Sequence, residues 1–452
     1  MTSSTALLLY RTRFTRYSVN VIAAVADLVE GVDVFILEKM RAEDSIELFD
    51  LVSRKYRYGV LALSLNTFSL VNDNFRIELE RLIRIAKDKG LITLAGGPHP
   101  SGDPLGTLRV LGFDYAVIGE GEDTIREFLE TLIDNGDLLR VKGLFTIYDN
   151  NVIYTGSRNR YVDLDRYPAF PYWRHLYNPI EITRGCPHGC KYCQVSYVFG
   201  RTMRHRCIDI IIKHVDTMMT DGLNDVRFVS PDSLSYGLKH YSREPALDVI
   251  EELFYRIYSV FRKHGRGKLY FGTFPSEVRP EHLTREAAKL LARYVSNKNI
   301  IMGAQSGSNR VLKLLGRGHT IEDVYEAVEN AIQYGFRPDI DFIVGLPIEE
   351  DDDLHQTAEA IRRLVDLGAR IHLHTFMPLP GTPYAYMEPK PIPKWFRREI
   401  MKIIGMGSGY GQWLKQEEIA KKIIELRRKG IILPRAAQIS ARHHHFFSPA
   451  IE

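Results

Sequence analysis

The stretch Ile182–Gln194, ITRGCPHGCKYCQ, contains three of the four cysteines in this 452-residue chain. Cys186, Cys190 and Cys193 follow the spacing C-x3-C-x2-C. Three thiols this close together can clip a zinc ion as structural ligands. They can also hold three irons of a [4Fe–4S] cube and leave the fourth iron without a protein ligand. A substrate or cosubstrate can bind the iron that has no protein ligand. Catalytic metal sites keep such a free coordination position, whereas structural sites are fully ligated by the protein.

The sequence around the cysteines favours the second interpretation. A series of short apolar runs, each followed by a stretch of helical period, begins at Pro179 and predicts strands alternating with helices. The six predicted strands are IEITRG, DVRFVSP, KLYFGTF, NIIMGAQSG, DIDFIVGLP and RIHLHTF. Six such units predict a partial (β/α)6 TIM-like barrel over residues 179–388, followed by a helical C-terminal segment over 389–452. Barrel enzymes place their sites at the carboxyl ends of the strands, which is where the cysteines lie.

An α/β domain is predicted over residues 1–138. Its five predicted strands lie at Thr5–Arg11, Asp33–Leu37, Tyr58–Asn66, Leu91–Gly97 and Asp114–Gly121, with helical periodicity between them. This pattern is typical of a flavodoxin-like, doubly wound sheet, which binds ligands at the carboxyl ends of its strands. Residues 139–178 are predicted to form a β-hairpin and an extended linker.

Composition narrows the class of protein. Hydrophobic residues make up 45% of the chain and charged residues 26%, as in globular proteins. The formal net charge of +4 is too small to suggest a broad nucleic-acid surface. We see no apolar run of transmembrane length and no N-terminal leader with a cleavage site, so we expect a cytoplasmic protein. Four cysteines, three of them clustered, do not form a disulfide framework.

The cysteine spacing after the first barrel strand resembles the radical S-adenosylmethionine (SAM) superfamily, over Pro179 to about Tyr386. The resemblance implies a [4Fe–4S] cluster whose open iron is chelated by the methionyl group of SAM. It implies reductive cleavage of SAM to a 5′-deoxyadenosyl radical that abstracts hydrogen from a substrate, with Tyr192 near the adenine. The zinc alternative would need His188 or His205 as a fourth ligand.

The same resemblance implies further SAM contacts at later strand ends. The segment AQSGSNRVLKLLGRGHT looks like the ribose-contacting segment of the methylthiotransferase-like branch, and DFIVGLPIEED looks like the segment whose backbone meets the adenine. FVSPDSLSYG stands where many members hold the methionyl amine. The predicted SAM-binding residues are Tyr192, Asp232, Gln305, Ser306, Ser308, Val344, Gly345, Leu346 and Pro347.

The N-terminal domain resembles the cobalamin-binding domain that precedes many radical SAM barrels, most strongly from Leu94 to Ile125. The predicted cobalamin contacts are Ser64, Asn66, Thr67, Gly96, Gly97, Gly119 and Gly121. Domains that coordinate cobalt from below use a D-x-H-x-x-G loop after the first strand, whereas this loop reads YRTRFTRYS and has no histidine. His99 is the only histidine before the linker. The resemblance therefore implies cobalamin without a histidine on cobalt, or a domain that kept the fold and lost the cofactor.

The leading functional hypothesis is cobalamin-dependent C-methylation of a small-molecule or lipid substrate, with electrons from a donor such as ferredoxin or flavodoxin. Alternatives are a cobalamin-independent radical rearrangement or C–C coupling, a methylthiotransferase-like activity, and a zinc-stabilised binding or sensor protein. The methylthiotransferases carry three further N-terminal cysteines that this chain lacks. Cys207 is predicted to be a small buried residue, and the tail RHHHFF a solvated terminal segment.

Overall fold

The computed structural model describes residues 4–38 and 41–434. Residue contacts divide these into two compact units. The first unit comprises the described residues within Met1–Asn178, Leu379–Tyr386 and Lys422–Glu452, and the second comprises Pro179–Pro378 and Met387–Lys421. The histidine-rich tail lies outside the described residues.

The N-terminal part of the first unit alternates strands and helices. Its elements are β1 (Thr5–Tyr10), α1 (Arg16–Ala26), β2 (Val32–Leu37), α2 (Ile46–Lys55), β3 (Tyr58–Ser64), α3 (Thr67–Leu70), α4 (Asp73–Asp88), β4 (Ile92–Gly96), α5 (Pro98–Gly102), α6 (Pro104–Arg109), β5 (Tyr115–Val117), α7 (Glu122–Ile133), β6 (Leu144–Tyr148) and β7 (Asn151–Tyr154).

These strands form one sheet in the order β2-β1-β3-β4-β5-β6-β7. The five strands β2-β1-β3-β4-β5 are parallel, which is the flavodoxin-like order 2-1-3-4-5 and confirms the predicted topology. Alternate residues of β1 enter different clusters, with Leu7 and Leu9 in one and Leu8 in the other. The sheet is therefore buried on both faces, as the continuous apolar runs of its strands require.

A hairpin of β6 and β7 extends this sheet as antiparallel edge strands. Its turn residues Asp149 and Asn150 have φ values of 48° and 62°. Two consecutive residues with positive φ are typical of the type I′ turn, whose twist matches that of the paired strands. The predicted hairpin is thus part of the first sheet rather than a separate module.

The second unit carries the remaining elements, apart from the end of its last helix. They are β8 (Ile180–Glu181), β9 (Thr183–Arg184), α8 (Val195–Phe199), β10 (Arg204–His205), α9 (Ile208–Thr220), β11 (Asp225–Val229), α10 (Leu247–His264), β12 (Lys268–Tyr270), α11 (Arg285–Tyr294), β13 (Asn299–Gln305), α12 (Asn309–Leu315), α13 (Ile321–Gln333), β14 (Arg337–Val344), α14 (Asp351–Asp366), β15 (Arg370–Thr375), α15 (Lys394–Gly405), β16 (Gly409–Tyr410) and α16 (Trp413–Arg428).

The parallel strands of this unit run in the order β8-β11-β12 and then β13-β14-β15-β16. A bridge between Val278 and Met302 joins the two groups, so the predicted partial barrel is confirmed. Two details differ from the sequence prediction. The first strand is broken into β8 and β9, and β9 pairs antiparallel with β10. The short strand β16 lies within the segment that was predicted to be helical.

The first unit is discontinuous along the chain. The carboxylate of Asp103 accepts a hydrogen bond from the backbone N–H of Leu433 at 2.8 Å. A side chain at Gly102 would place its Cβ 2.3 Å from the carbonyl of Pro380, so only glycine fits there. Arg427 donates to the carbonyl of Ala385 at 2.6 Å. Residues that follow the barrel strands therefore pack into the N-terminal unit.

Candidate active site and cofactor sites

The three clustered cysteines lie in the loop between β9 and α8. Cys190 is buried, and Cys186 and Cys193 are partly buried. The hydroxyl of Ser196 donates to the carbonyl of Cys186 at 2.9 Å and accepts the N–H of Gly189 at 3.2 Å. These bonds tie the loop to the first turn of α8, so the thiols are presented by an ordered loop at the carboxyl end of the first barrel strand.

Arg317 is the charged group that sits against these cysteines, and the sequence analysis missed it. One guanidinium nitrogen lies 3.7 Å from Sγ of Cys190 and 3.3 Å from the hydroxyl of Tyr192. The other terminal nitrogen donates to the carbonyl of Gly303 at 2.6 Å. The Nε–H of Arg317 is buried and makes no hydrogen bond within the described residues. A buried cation with a spare donor beside three thiols fits a site built for an anionic metal cluster.

Burial raises the pKa of Cys193 to about 12, and the thiol of Cys190 raises it further. Burial likewise raises the pKa of Cys186 above its usual value. Arg317 opposes the shift at Cys193 and Arg279 opposes the shift at Cys186. Without metal, Cys186 and Cys193 are therefore protonated at neutral pH, and metal binding to them releases protons. The donor set of three thiols with adjacent cations fits a [4Fe–4S] cluster with one open iron.

Of the two histidines that a zinc site could use, His205 is already hydrogen-bonded through both ring nitrogens. Nδ1 of His205 lies 3.0 Å from the Thr183 hydroxyl, and Nε2 lies 2.8 Å from the carbonyl of Leu238. The ring of His188 packs edge-on against Tyr241 at 4.7 Å between centroids. Burial lowers the pKa of His188 to about 3, and nearby arginines add to the shift. His205 has no nitrogen free for a metal, which counts against the Cys3His alternative.

Asp232 follows β11 and is 4% exposed. One carboxylate oxygen lies 2.5 Å from Nδ1 of His282, and the other accepts the backbone N–H of Arg279 at 3.2 Å. These partners hold the pKa of Asp232 below its usual value despite burial. The residue predicted to hold the methionyl amine is thus an ionised carboxylate already paired to the protein.

The segment after β13 contains the predicted ribose contacts. Gln305 has a φ of 75°, an uncommon conformation for a residue with a side chain, at an irregularity in the pairing with β14. Ser306 and Ser308 are fully buried. The hydroxyl of Ser308 donates to Asp353 at 2.6 Å and caps α12, and that of Ser306 lies 3.3 Å from Thr357. Both serine hydroxyls are committed to the protein, whereas Gln305 remains a candidate contact.

The predicted adenine segment, Val344–Pro347, leaves β14 in a tight turn. Gly345 has a φ of 73°. The N–H of Leu346 donates to the carboxylate of Glu349 at 2.8 Å, and the carbonyl of Val344 accepts the N–H of Phe376 at 2.9 Å. Glu349 closes the turn and holds its backbone in one conformation.

In the first unit, the seven predicted cobalamin contacts gather at the carboxyl ends of β3, β4 and β5. They are Ser64 at the end of β3 with Asn66 and Thr67 after it, Gly96 at the end of β4 with Gly97 after it, and Gly119 and Gly121 after β5. A Cβ at position 97, where φ is 99°, would lie 2.9 Å from the carbonyl oxygen of Leu65. Gly97 is therefore required by the close approach of the backbone that follows β3. Parallel sheets of this order bind ligands at this edge, which fits a corrin tail.

His99 is placed where it cannot ligate cobalt at that edge. It is 1% exposed, and its Nδ1 lies 3.1 Å from the hydroxyl of Thr67. Its Nε2 lies 3.7 Å from the carboxylate of Asp103. Burial lowers the pKa of His99 to about 3. The interior position of this ring agrees with cobalamin bound without a histidine on the metal.

Two family models match the chain. Residues 180–361 match the radical SAM superfamily, and residues 9–129 match the B12 binding domain. The partial barrel with its three-cysteine loop and the 2-1-3-4-5 sheet ahead of it agree with these two matches. The chain thus carries a radical SAM domain at residues 180–361 and a B12-binding domain ahead of it at residues 9–129.

Several known proteins are similar to this chain over most of its length. An uncharacterised protein of Methanopyrus kandleri is 27% identical over 73% of this chain and 68% of its own length. The radical SAM methyltransferase TsrM from Kitasatospora setae, solved with cobalamin and a [4Fe–4S] cluster, aligns with a TM-score of 0.63 over 83% of this chain and 72% of its own, at 15% identity. The cobalamin-dependent radical SAM enzyme OxsB, solved with aqua-cobalamin and SAM, aligns with a TM-score of 0.62 over 95% of this chain and 62% of its own, at 16% identity.

The radical SAM domain identifies a [4Fe–4S] cluster and SAM as cofactors, and the B12-binding domain adds cobalamin. Radical SAM enzymes also require a reductant. Within the described residues, no helix combines the length and apolar character needed to cross a bilayer.

Proposed function

We propose that this protein methylates an unactivated carbon of a small-molecule or lipid substrate in a cobalamin-dependent radical reaction. One observation carries the proposal: a B12-binding domain precedes a radical SAM domain in one chain, and the fold of both together is similar to two cobalamin-dependent enzymes. When bound, the cofactors supply a methyl group and a carbon-centred radical generated from SAM. Ferredoxin or flavodoxin in the cytoplasm is the proposed electron source.

The chain's own residues hold and shield these groups. Cys186, Cys190 and Cys193 would ligate three irons, and Arg317 would offset the negative charge of the cluster. Tyr192 is held beside the cysteines by its hydrogen bond to Arg317. In the first unit, Gly97 and its neighbours would leave room for the corrin tail. The domain boundaries 1–138, 139–178, 179–388 and 389–452 are part of this proposal.

The test is metal counting followed by product analysis. The full chain is expressed with iron and cobalamin available and purified without oxygen. We expect about four irons and about one cobalt per chain. With a reductant and SAM, we expect 5′-deoxyadenosine, and S-adenosylhomocysteine from methylation of cobalt. Cys190→Ala should lose iron and both products. Cys207→Ala is the matched control, because Cys207 lies outside the cluster loop at the start of α9. The prediction that Cys207 is buried was wrong, since this residue is exposed.

Each alternative gives a different result. Iron without cobalt, with 5′-deoxyadenosine formed, would replace methylation by a cobalamin-independent radical reaction. About one zinc per chain and no iron would refute the radical chemistry itself.

A further inference from the structure

One face of the sheet formed by β13, β14, β15 and β16 carries a cluster of polar side chains that the proposed function does not use. Along β14 and β15, one set of alternate residues is fully buried, including Ile340, Phe342 and Leu373. The other set is polar and includes Asp341, which pairs in register with His372. The sequence analysis predicted these two segments as strands and assigned no role to the polar residues on them.

Three of these polar residues come close together. The ligand atoms of Asp341, His372 and His374 all lie within 4.8 Å of one another. Nδ1 of His372 lies 2.9 Å from the Asp341 carboxylate, and Nε2 of His374 lies 3.8 Å from it. The ring of His372 stacks on Tyr410, with 4.3 Å between centroids and 4° between planes. The two imidazoles are therefore held in fixed orientations around one carboxylate.

The hydrogen bonds around His374 argue against a metal ion. The side-chain oxygen of Gln416 accepts the backbone N–H of Thr375 at 2.9 Å, which fixes the orientation of this amide. Its NH2 group therefore donates to Nδ1 of His374 at 3.2 Å. The ring proton is then on Nε2 and points toward Asp341. A metal-bound histidine instead donates its second ring N–H, so this tautomer opposes coordination through Nε2.

The hydrogen bond between His372 and Asp341 uses only one of the two ring nitrogens of His372. An ionised carboxylate only accepts, so Nδ1 of His372 carries its proton toward Asp341. Nε2 of His372 makes no hydrogen bond within residues 4–38 and 41–434, so this nitrogen is left available to a ligand. The His372 side chain is 26% exposed.

A second carboxylate and the state of the nearby arginines complete the cluster. Burial raises the pKa of Glu277 to about 7, and the negative charge of Asp341 contributes to the shift. Arg370 is paired with Asp339 through two bonds of 2.8 and 2.9 Å. Arg317 is engaged by Gly303 and Cys190. The cluster therefore offers two carboxylates and an imidazole nitrogen, while the guanidinium of Arg370 is already paired with Asp339.

We propose that Asp341, His372 and Glu277 form a subsite that binds a cationic nitrogen group of the substrate, an ammonium or a guanidinium. The inference rests on the proposed function, since it names the substrate group that the barrel accepts. His374 and Gln416 are positioning residues, because they orient the carboxylate of Asp341. The positive charge of Arg317, which contacts Cys190, lowers the pKa of Glu277 and so opposes part of the effect of burial.

The test uses the full chain, reconstituted with its cluster, and two small probes of the same shape. Binding of methylguanidinium and of its neutral counterpart methylurea is measured by saturation-transfer NMR. We expect a dissociation constant on the order of millimolar for methylguanidinium, in keeping with so small a ligand. Methylurea should bind at least about tenfold more weakly, because it lacks the charge. Asp341→Asn and Glu277→Gln should each weaken methylguanidinium binding about tenfold.

His355→Gln is the matched control, since this histidine is exposed on α14 and stacks on Trp395 outside the cluster. It should bind the probe like the wild-type protein. Glu277→Gln keeps the test decisive if Asp341→Asn fails to fold. Equal binding of the two probes, no binding of either, or unchanged binding in folded Asp341→Asn would overturn the proposal. One zinc ion bound per chain and lost in Asp341→Asn would also overturn it, in favour of a metal site. SAM cleavage in the same preparation tests the proposed function independently.

Discussion

Replacing Arg317 by methionine should make the cluster harder to reduce. The guanidinium lies 3.7 Å from Sγ of Cys190, and a unit charge at this distance is worth about 4 kcal/mol at an effective dielectric constant of 20. Because the charge gained on reduction spreads over the whole cube, the mean separation is roughly doubled and the effect falls to about 2 kcal/mol. For a one-electron couple this corresponds to about 90 mV. Arg317→Met should therefore lower the midpoint potential by about that amount.

The assay is a redox titration of the reconstituted protein, with the reduced cluster followed by electron paramagnetic resonance. Iron is counted for every variant, so that loss of the cluster is separated from a change of potential. Arg317→Lys keeps the charge and should recover more than half of the shift. Arg310→Met is the control, because this arginine is 43% exposed and pairs with Asp353 and Glu350 rather than with the cysteine loop. A fully loaded Arg317→Met variant with the wild-type potential would refute the electrostatic reasoning.

Three further predictions concern stability and cofactor binding. Gly97→Ala should lower the cobalt content and destabilise the chain by about 1–3 kcal/mol. The reason is that φ at this position is 99° and a Cβ would lie 2.9 Å from a backbone oxygen. Metal analysis and thermal unfolding measure the two effects. Asp27→Ala should cost about 1–3 kcal/mol of unfolding free energy, since its carboxylate accepts hydrogen bonds from Trp173 at 2.7 Å and Arg174 at 2.5 Å; an unchanged denaturation midpoint would contradict this. Burial raises the pKa of Glu349 from 4.5 to about 8. Between these two pH values the folded state keeps a proton that the unfolded state releases. The free energy of unfolding therefore falls as the pH rises through this range. Denaturant titrations of Glu349→Gln between pH 5 and 8 should show a smaller fall than wild type.

The sequence was most informative where chemistry depends on local spacing. The C-x3-C-x2-C loop and the small residues after β3, β4 and β5 lie where the alternating pattern predicts, because parallel strands bring their carboxyl ends to one edge. Ser306 and Ser308 were predicted to face a ligand, yet they bond to Thr357 and Asp353 on another helix. A sequence pattern shows that a hydroxyl is present and does not show which partner reaches it first.

The residues that the sequence analysis missed depend on contacts between distant elements. Arg317 lies 124 residues or more from the three cysteines, in a segment that was read only for its serines and glutamine. RIHLHTF predicts a strand, and its two histidines lie on one face by their spacing. Their significance comes from Asp341 on the adjacent strand and Gln416 beyond β16. Strand register and long-range packing supply these pairings, and no single segment encodes them.

The discontinuity of the first unit has a consequence for biosynthesis. A ribosome makes the B12-binding sheet before it makes Leu379–Tyr386 and residues 422–434, which belong to the same compact unit. Asp103, fully buried, depends on Leu433 for one of its hydrogen bonds. The nascent sheet therefore lacks part of its packing until the segments that follow the barrel strands have been made. Truncation after Asn178 should yield a fragment prone to aggregation, and corrinoid loading should be weak until the chain has been made as far as Leu433.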